Sequence, residues 1–342
     1  MAQMFMHVLL VIVLCWSLLA FDRAGLSAQT QTSNPPSSAQ PQDPIPGDDK
    51  PVTLESNLVN VGFTVINPAG RLVTDLTKDE LRLMENEAQQ PIAFFGRNRE
   101  LPMVIALATD FSGSQEFIWL EERAAAQKFF DEVFRPGQDY VAVASFRNSV
   151  HLHTGLISHR DRLDRVFKTL SRVDTGYAKQ GTALYDAIYT VIDEVLDGKT
   201  AQRILRENHF AVRRALILLT DGRDTTSLRP ATDAMARAHR AFVTIYAIGI
   251  GDRFRFSGVD RAALDAVCRE TGARAYYPRD ADELRWAFRE IAEELTSQYI
   301  VGFYPADTAK DGSFRKIRLE IPGRKDLTVR YRTGYFAKTE DR

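Results

Sequence analysis

The chain has 342 residues, 44% hydrophobic and 26% charged, with a formal net charge of −1. This is an ordinary globular composition, long enough for two modest domains with a sizeable core. The lack of a basic excess argues against a nucleic-acid binder.

Residues 1–28 read as an export signal. Their apolar stretch, residues 8–20, is too short for a comfortable bilayer span, and Ala28 closes a plausible cleavage site. The segment before that stretch carries no Lys or Arg, so an uncleaved membrane anchor stays open. The expected location is therefore secreted, periplasmic or cell-envelope associated. Residues 29–51 are rich in Pro, Gln, Ser and Thr and read as a disordered linker. There are two cysteines. Cys15 lies in the export segment, and Cys268 sits in a helical pattern as a small buried hydrophobe.

Residues 52–98 change character. Strands are predicted at 58–65, 71–73, 81–85 and 91–95, with a turn at 67–70 and one helical turn capped by Thr77. This is too little chain to close a sandwich. Residues 297–342 offer more strands, at 298–303, 314–321 and 327–332, separated by Asp311-Gly312 and Pro322-Gly323 turns. The two flanks are expected to form one small β-sandwich, with residues 99–296 inserted between them.

The middle alternates strand and helix. Strands are expected at 103–108, 140–146, 212–220, 242–250 and 273–277, with a hairpin partner at 150–154. Helices are expected at 115–134, 160–170, 182–196, 232–240, 260–270 and 280–295. The order is that of a doubly wound, mostly parallel α/β sheet with one antiparallel edge. Trp119 and Trp286 fall in helical patterns and read as core or groove residues. His151 and His153, two apart on an edge strand, read as surface residues.

The run 103–108 is apolar throughout, as in a strand buried on both faces, and it stops at Asp110. Asp110, Ser112 and Ser114 then place hard oxygen donors around one point, where open α/β sheets bind ligands. Asp and Ser after a strand also cap helices. Two further loops offer oxygens: Thr182 opens one helix, and Asp221 follows the apolar run 216–219.

Taken together, Asp110-x-Ser112-x-Ser114, Thr182 and Asp221 resemble the metal-ion-dependent adhesion site of von Willebrand factor type A (VWA) domains. The resemblance covers roughly residues 101–295, and the longer layout looks like the VWFA-related proteins of acidobacteria. It implies a divalent cation, Mg²⁺ or alternatively Mn²⁺ or Ca²⁺. Ser112, Ser114 and Thr182 would bind it directly, and Asp110 and Asp221 would act through ordered water. It implies a protein partner that completes the shell with an Asp or Glu carboxylate, and no enzyme activity. A membrane partner enters only if the N-terminal segment is retained. The alternatives are a structural envelope protein with a vestigial site or a metal-dependent hydrolase. The latter lacks a P-loop, a Gly-x-Ser-x-Gly elbow and a His-Glu-x-x-His pair.

Overall fold

The computed structural model describes residues 58–97, 101–111, 119–170, 181–208, 212–251 and 258–340. The chain divides into two units, Met1–Leu54 and Glu55–Arg342, and every described residue lies in the second. The expected export segment and linker, together with Ser112 and Ser114, lie outside the described residues.

Four strands come first: β1 (Val59–Ile66), β2 (Arg82–Glu85), β3 (Ala88–Gln90) and β4 (Phe94–Arg97). Between β1 and β2, Thr77 and Glu80 close a reciprocal capping box around a single 3₁₀ turn. The α/β layer follows, with strands β5 (Met103–Asp110), β6 (Tyr140–Phe146), β7 (Val150–Ile157), β8 (Arg213–Thr220), β9 (Val243–Gly249) and β10 (Ala275–Tyr276). Its helices are α1 (Trp119–Val133), α2 (Arg160–Thr169), α3 (Leu184–Thr190), α4 (Lys199–Glu207), α5 (Ala231–Arg240), α6 (Arg261–Thr271) and α7 (Ala281–Ser297). The chain then returns as β11 (Tyr299–Phe303), β12 (Phe314–Glu320), β13 (Thr328–Tyr331) and β14 (Gly334–Phe336).

The α/β sheet has the order β10-β9-β8-β5-β6-β7, parallel except for the β6–β7 edge pair. Every residue of β5 is buried, because helices cover both faces of the sheet. Strands from both flanks then pair with each other. One antiparallel sheet runs β13-β1-β11-β4 and the other β14-β12-β2-β3. Their inner faces share one core, in which Phe63, Tyr299 and Phe95 stack with centroids 5.2 and 5.5 Å apart.

The sandwich also lies against the helices. On β13, Arg330 pairs with the buried Glu294 of α7 at 2.6 Å, and Thr333 N donates to Glu270 O of α6 at 3.1 Å.

Four local expectations are corrected. The helix expected from Thr182 begins at Leu184, because the Thr182 backbone is committed to the loop after β8. It also changes after Thr190 to a π turn (Val191–Leu196), which Asp197 N closes onto Ile192 O at 2.8 Å. Helix α4 was not anticipated; only Ala201, Ile204 and Leu205 of its nine residues are buried. Trp286 is 44% exposed, lying edge-on to Tyr276 rather than in the core. His153 is half-buried, its Nε2 is 2.8 Å from Ser145 Oγ, and its ring faces Phe111.

Candidate metal centre

The C-terminal edge of the parallel sheet is closed by a ring of hydrogen bonds. β5 and β8 are neighbours in register, Thr109 beside Leu219, so Asp110 and Thr220 end side by side. Thr220 Oγ1 donates to Asp110 Oδ2 at 2.8 Å, and both residues are fully buried. Past β5, Phe111 N donates to Phe146 O at 2.9 Å, and Phe111 O accepts from Arg147 Nε at 2.7 Å. Arg147 O in turn accepts from Ala183 N at 2.6 Å. Thr182 N donates to Thr225 Oγ1 at 2.8 Å, and Thr182 O accepts from Thr225 N and Thr226 N. The ring returns through the loop 221–226 to β8.

That approach requires glycine at 181. A Cβ there would fall 2.1 Å from Thr225 Oγ1 and 2.6 Å from Thr226 Cγ2. Gly222 is needed for its left-handed backbone, φ +80, and for its contact with Leu264. Asp221 is fixed on both sides. Its Oδ1 accepts from Arg223 N at 3.0 Å, and its carbonyl accepts from Asp260 N at 2.7 Å. Asp224 holds the start of α3, accepting from Leu184 N at 2.8 Å and from Ser227 Oγ at 2.5 Å. Asp224 therefore serves the helix N-terminus, a favourable place for a carboxylate.

Three of the five expected residues, Asp110, Thr182 and Asp221, are brought to this ring. Ser112 and Ser114 fall outside the described residues. Thr182 is 5% exposed, and no hydrogen bond among the described residues engages its hydroxyl. Carboxylate and hydroxyl oxygens of this kind suit a hard divalent cation. No group of three His, Cys, Asp or Glu side chains gathers among the described residues, and a donor set built on hydroxyls would not form one.

The sequence reading missed one member of this end of the sheet, Glu122 on α1. It is 1% exposed, and neither of its carboxyl oxygens has a hydrogen-bond partner among the described residues. Burial, then Asp110, then Glu121 push its pKa well above the usual carboxylate range. Its position in the first turn of α1 had no distinguishing signal, since acids favour that turn for the helix dipole alone. Tyr185 feels the same field: burial, Asp224 and Asp260 raise its pKa. The edge is thus rich in negative charge that a cation would relieve.

Residues 105–290, more than half of the chain, match the von Willebrand factor type A domain. The chain belongs to the VWA family.

Among solved structures, this VWA protein is similar to proximal thread matrix protein 1 from the mussel byssus with a zinc-occupied MIDAS motif. The identity is 17%, the match covers 61% of this chain and 48% of that one, and the TM-score is 0.46. It is similar to a von Willebrand factor type A protein from Catenulispora acidiphila at 17% identity, covering 70% and 50% of the two chains with TM-score 0.45. It is also similar to the conserved hypothetical protein BatB from Bacteroides thetaiotaomicron at 15% identity, covering 57% and 97% with TM-score 0.43. The chain spans about half the length of the mussel and Catenulispora proteins. No curated protein matches it.

Proposed function

We propose that this VWA domain is an exported, metal-dependent protein-binding module. Asp110, Ser112, Ser114, Thr182 and Asp221 would hold a Mg²⁺ ion, or Mn²⁺ or Ca²⁺ in its place. A bound cation supplies a Lewis-acidic docking point for an Asp or Glu carboxylate of a partner protein. The observation that carries this reading is the hydroxyl of Thr182. It is held at the sheet edge by its own backbone hydrogen bonds, and no hydrogen bond among the described residues engages its oxygen.

The residues divide the work. Thr220 orients Asp110, the turn at Gly222 and Arg223 orients Asp221, and Thr225 sets the height of Thr182. Neutral hydroxyls nearest the ion leave it short of negative charge, which favours an outside carboxylate. Secretion or attachment to the cell envelope follows from the export segment read at residues 1–28. Among the described residues no helix is long and apolar enough to cross a membrane.

Calorimetry with Mg²⁺ and Mn²⁺ on wild type, Thr182→Ala and Asp221→Ala tests the site. Each substitution is expected to weaken cation binding about 10- to 100-fold while the fold persists. Wild type that binds neither ion at millimolar concentration would leave a scaffolding protein as the better reading.

A further inference from the structure

At the opposite end of the parallel sheet, a cavity of about 400 Å³ opens between the α/β layer and the sandwich. Its wall is mostly apolar and includes Val59, Leu205, Val212, Phe242, Leu295 and Ile300. Arg213, Arg214, Arg315 and Arg332 also face it. Three of these are answered by the protein. Arg214 pairs with Asp197 at 2.6 Å. Arg315 pairs with Asp307 at 3.3 Å and lies 3.7 Å from Glu85. Arg213 donates to Leu101 O at 2.9 Å and to Leu295 O.

Arg332 differs from them. It is 6% exposed, makes no ion pair or hydrogen bond through its side chain among the described residues, and its Nη1 is buried without a partner. Its guanidinium lies over the face of Phe242, whose ring centre is 4.6 Å from the guanidinium carbon. Phe242 takes a left-handed backbone, φ 53, unusual for a bulky side chain and costly to hold. Burial, and then Arg214, lower the Arg332 pKa to about 9, so it remains charged at neutral pH.

An isolated buried charge costs several kcal/mol unless something answers it. The something must be anionic, because the group is charged at neutral pH and presents a planar fork of donors. One negative charge matches Arg332, the guanidinium of the wall that makes no hydrogen bond or ion pair among the described residues. The ligand must have an apolar body, because the remaining wall is apolar, and the volume lies within the range of small-molecule pockets, about 300–1,000 Å³.

We infer that this cavity is a binding site for a small carboxylic acid with an apolar body, its carboxylate paired with Arg332 and its body lying along Phe242, Leu205 and Ile300. The site stands at the start of β8, whereas the candidate metal centre stands at its end. Eight residues of strand separate them by about 23 Å at 3.3 Å per residue. Nothing in this inference depends on the cation.

Calorimetric titration of the full chain with octanoate, octanamide and inorganic phosphate tests it, with EDTA present throughout. Octanoate is expected to bind saturably at one site. Octanamide and phosphate are each expected to bind at least about tenfold more weakly, the scale of one charge-assisted hydrogen bond. Arg332→Met should lose octanoate by at least about tenfold while its ligand-free Tm rises, since a lone buried charge is replaced by an apolar chain. Arg332→Lys keeps the charge without the fork, is expected to weaken octanoate severalfold, and decides the matter if Arg332→Met does not fold. No saturable octanoate binding would overturn the proposal. So would equal binding by wild type and the Arg332 variants, or phosphate binding as tightly as octanoate.

Discussion

At its start β8 carries Arg213 and Arg214; at its end it carries Thr220 and runs into Asp221. One buried strand thus joins a cationic end to an anionic one, and the helices explain which is which. Arg213 donates to Leu295 O in the last turn of α7, and Arg214 Nη1 lies 3.4 Å from Leu196 O at the end of the π turn. At the other end, Asp224 and Ser227 accept from the first N–H groups of α3. In a parallel sheet, helix C-termini gather where strands begin and helix N-termini where they end. The macrodipoles therefore favour guanidiniums at one end and carboxylates at the other. Among the described residues, each end also holds a buried group whose side chain makes no hydrogen bond or ion pair, Arg332 at the first and Glu122 at the second. In a folded core such groups are where a ligand is to be sought.

The comparison can be broken most forcefully at its cationic end. Asp197 pairs with both Arg214 and Arg237, at 2.6 and 2.7 Å. Asp197→Ala leaves Arg214 buried with Leu196 O, 3.4 Å away, as its acceptor among the described residues, and urea unfolding is expected to show a loss of about 3 kcal/mol. A loss below about 1 kcal/mol, the range of surface pairs, would mean that helix carbonyls suffice to hold the charge.

At the anionic end the expected sign is reversed. Glu122→Met removes an unpartnered buried carboxyl, and the cation-free protein should gain on the order of 1 kcal/mol. A destabilised variant would show that the carboxyl is answered in solution, and the symmetry between Glu122 and Arg332 would fail.

A third prediction, read from pH, concerns the rim of the anionic end. Burial, then His151, lower the His153 pKa from 6.5 to about 4. Between those values the unfolded chain holds a proton that the folded chain does not. This contribution to stability is complete above about pH 6.5 and is lost as pH falls toward about 4. His153→Gln is expected to flatten that part of a Tm-against-pH profile, and an unchanged slope would mean that other groups set it.

The continuous apolar runs of β5, β8 and β9 were legible in the sequence because burial on both faces leaves no alternation to confuse. Asp110, Thr182 and Asp221 were legible as a set only through the spacing of a known motif; no local pattern links residues that far apart. What escaped had physical causes. β14 has three residues, beginning with a glycine, too short to show a period. α4 carries a charged face and a glycine where a capping side chain would stand. Arg330 in β13 and Arg332 just past its end alternate with Val329 and Tyr331, which reads as a solvent-facing row. Instead that row is turned toward the α/β layer, where Arg330 meets Glu294 and Arg332 meets Phe242.

The last residue of β4, Arg97, is a direct cross-strand partner of the first residue of β11, Tyr299. The whole α/β layer leaves and re-enters the sandwich between two adjacent residues of one antiparallel pair. In topological terms it occupies the place of a hairpin loop, and a two-residue turn such as Asn-Gly would bridge the same gap. The sandwich is therefore a socket. A gene encoding Arg97 joined by such a turn to Tyr299 keeps every strand of the frame, and the same junction could accept a foreign insert whose ends lie as close together.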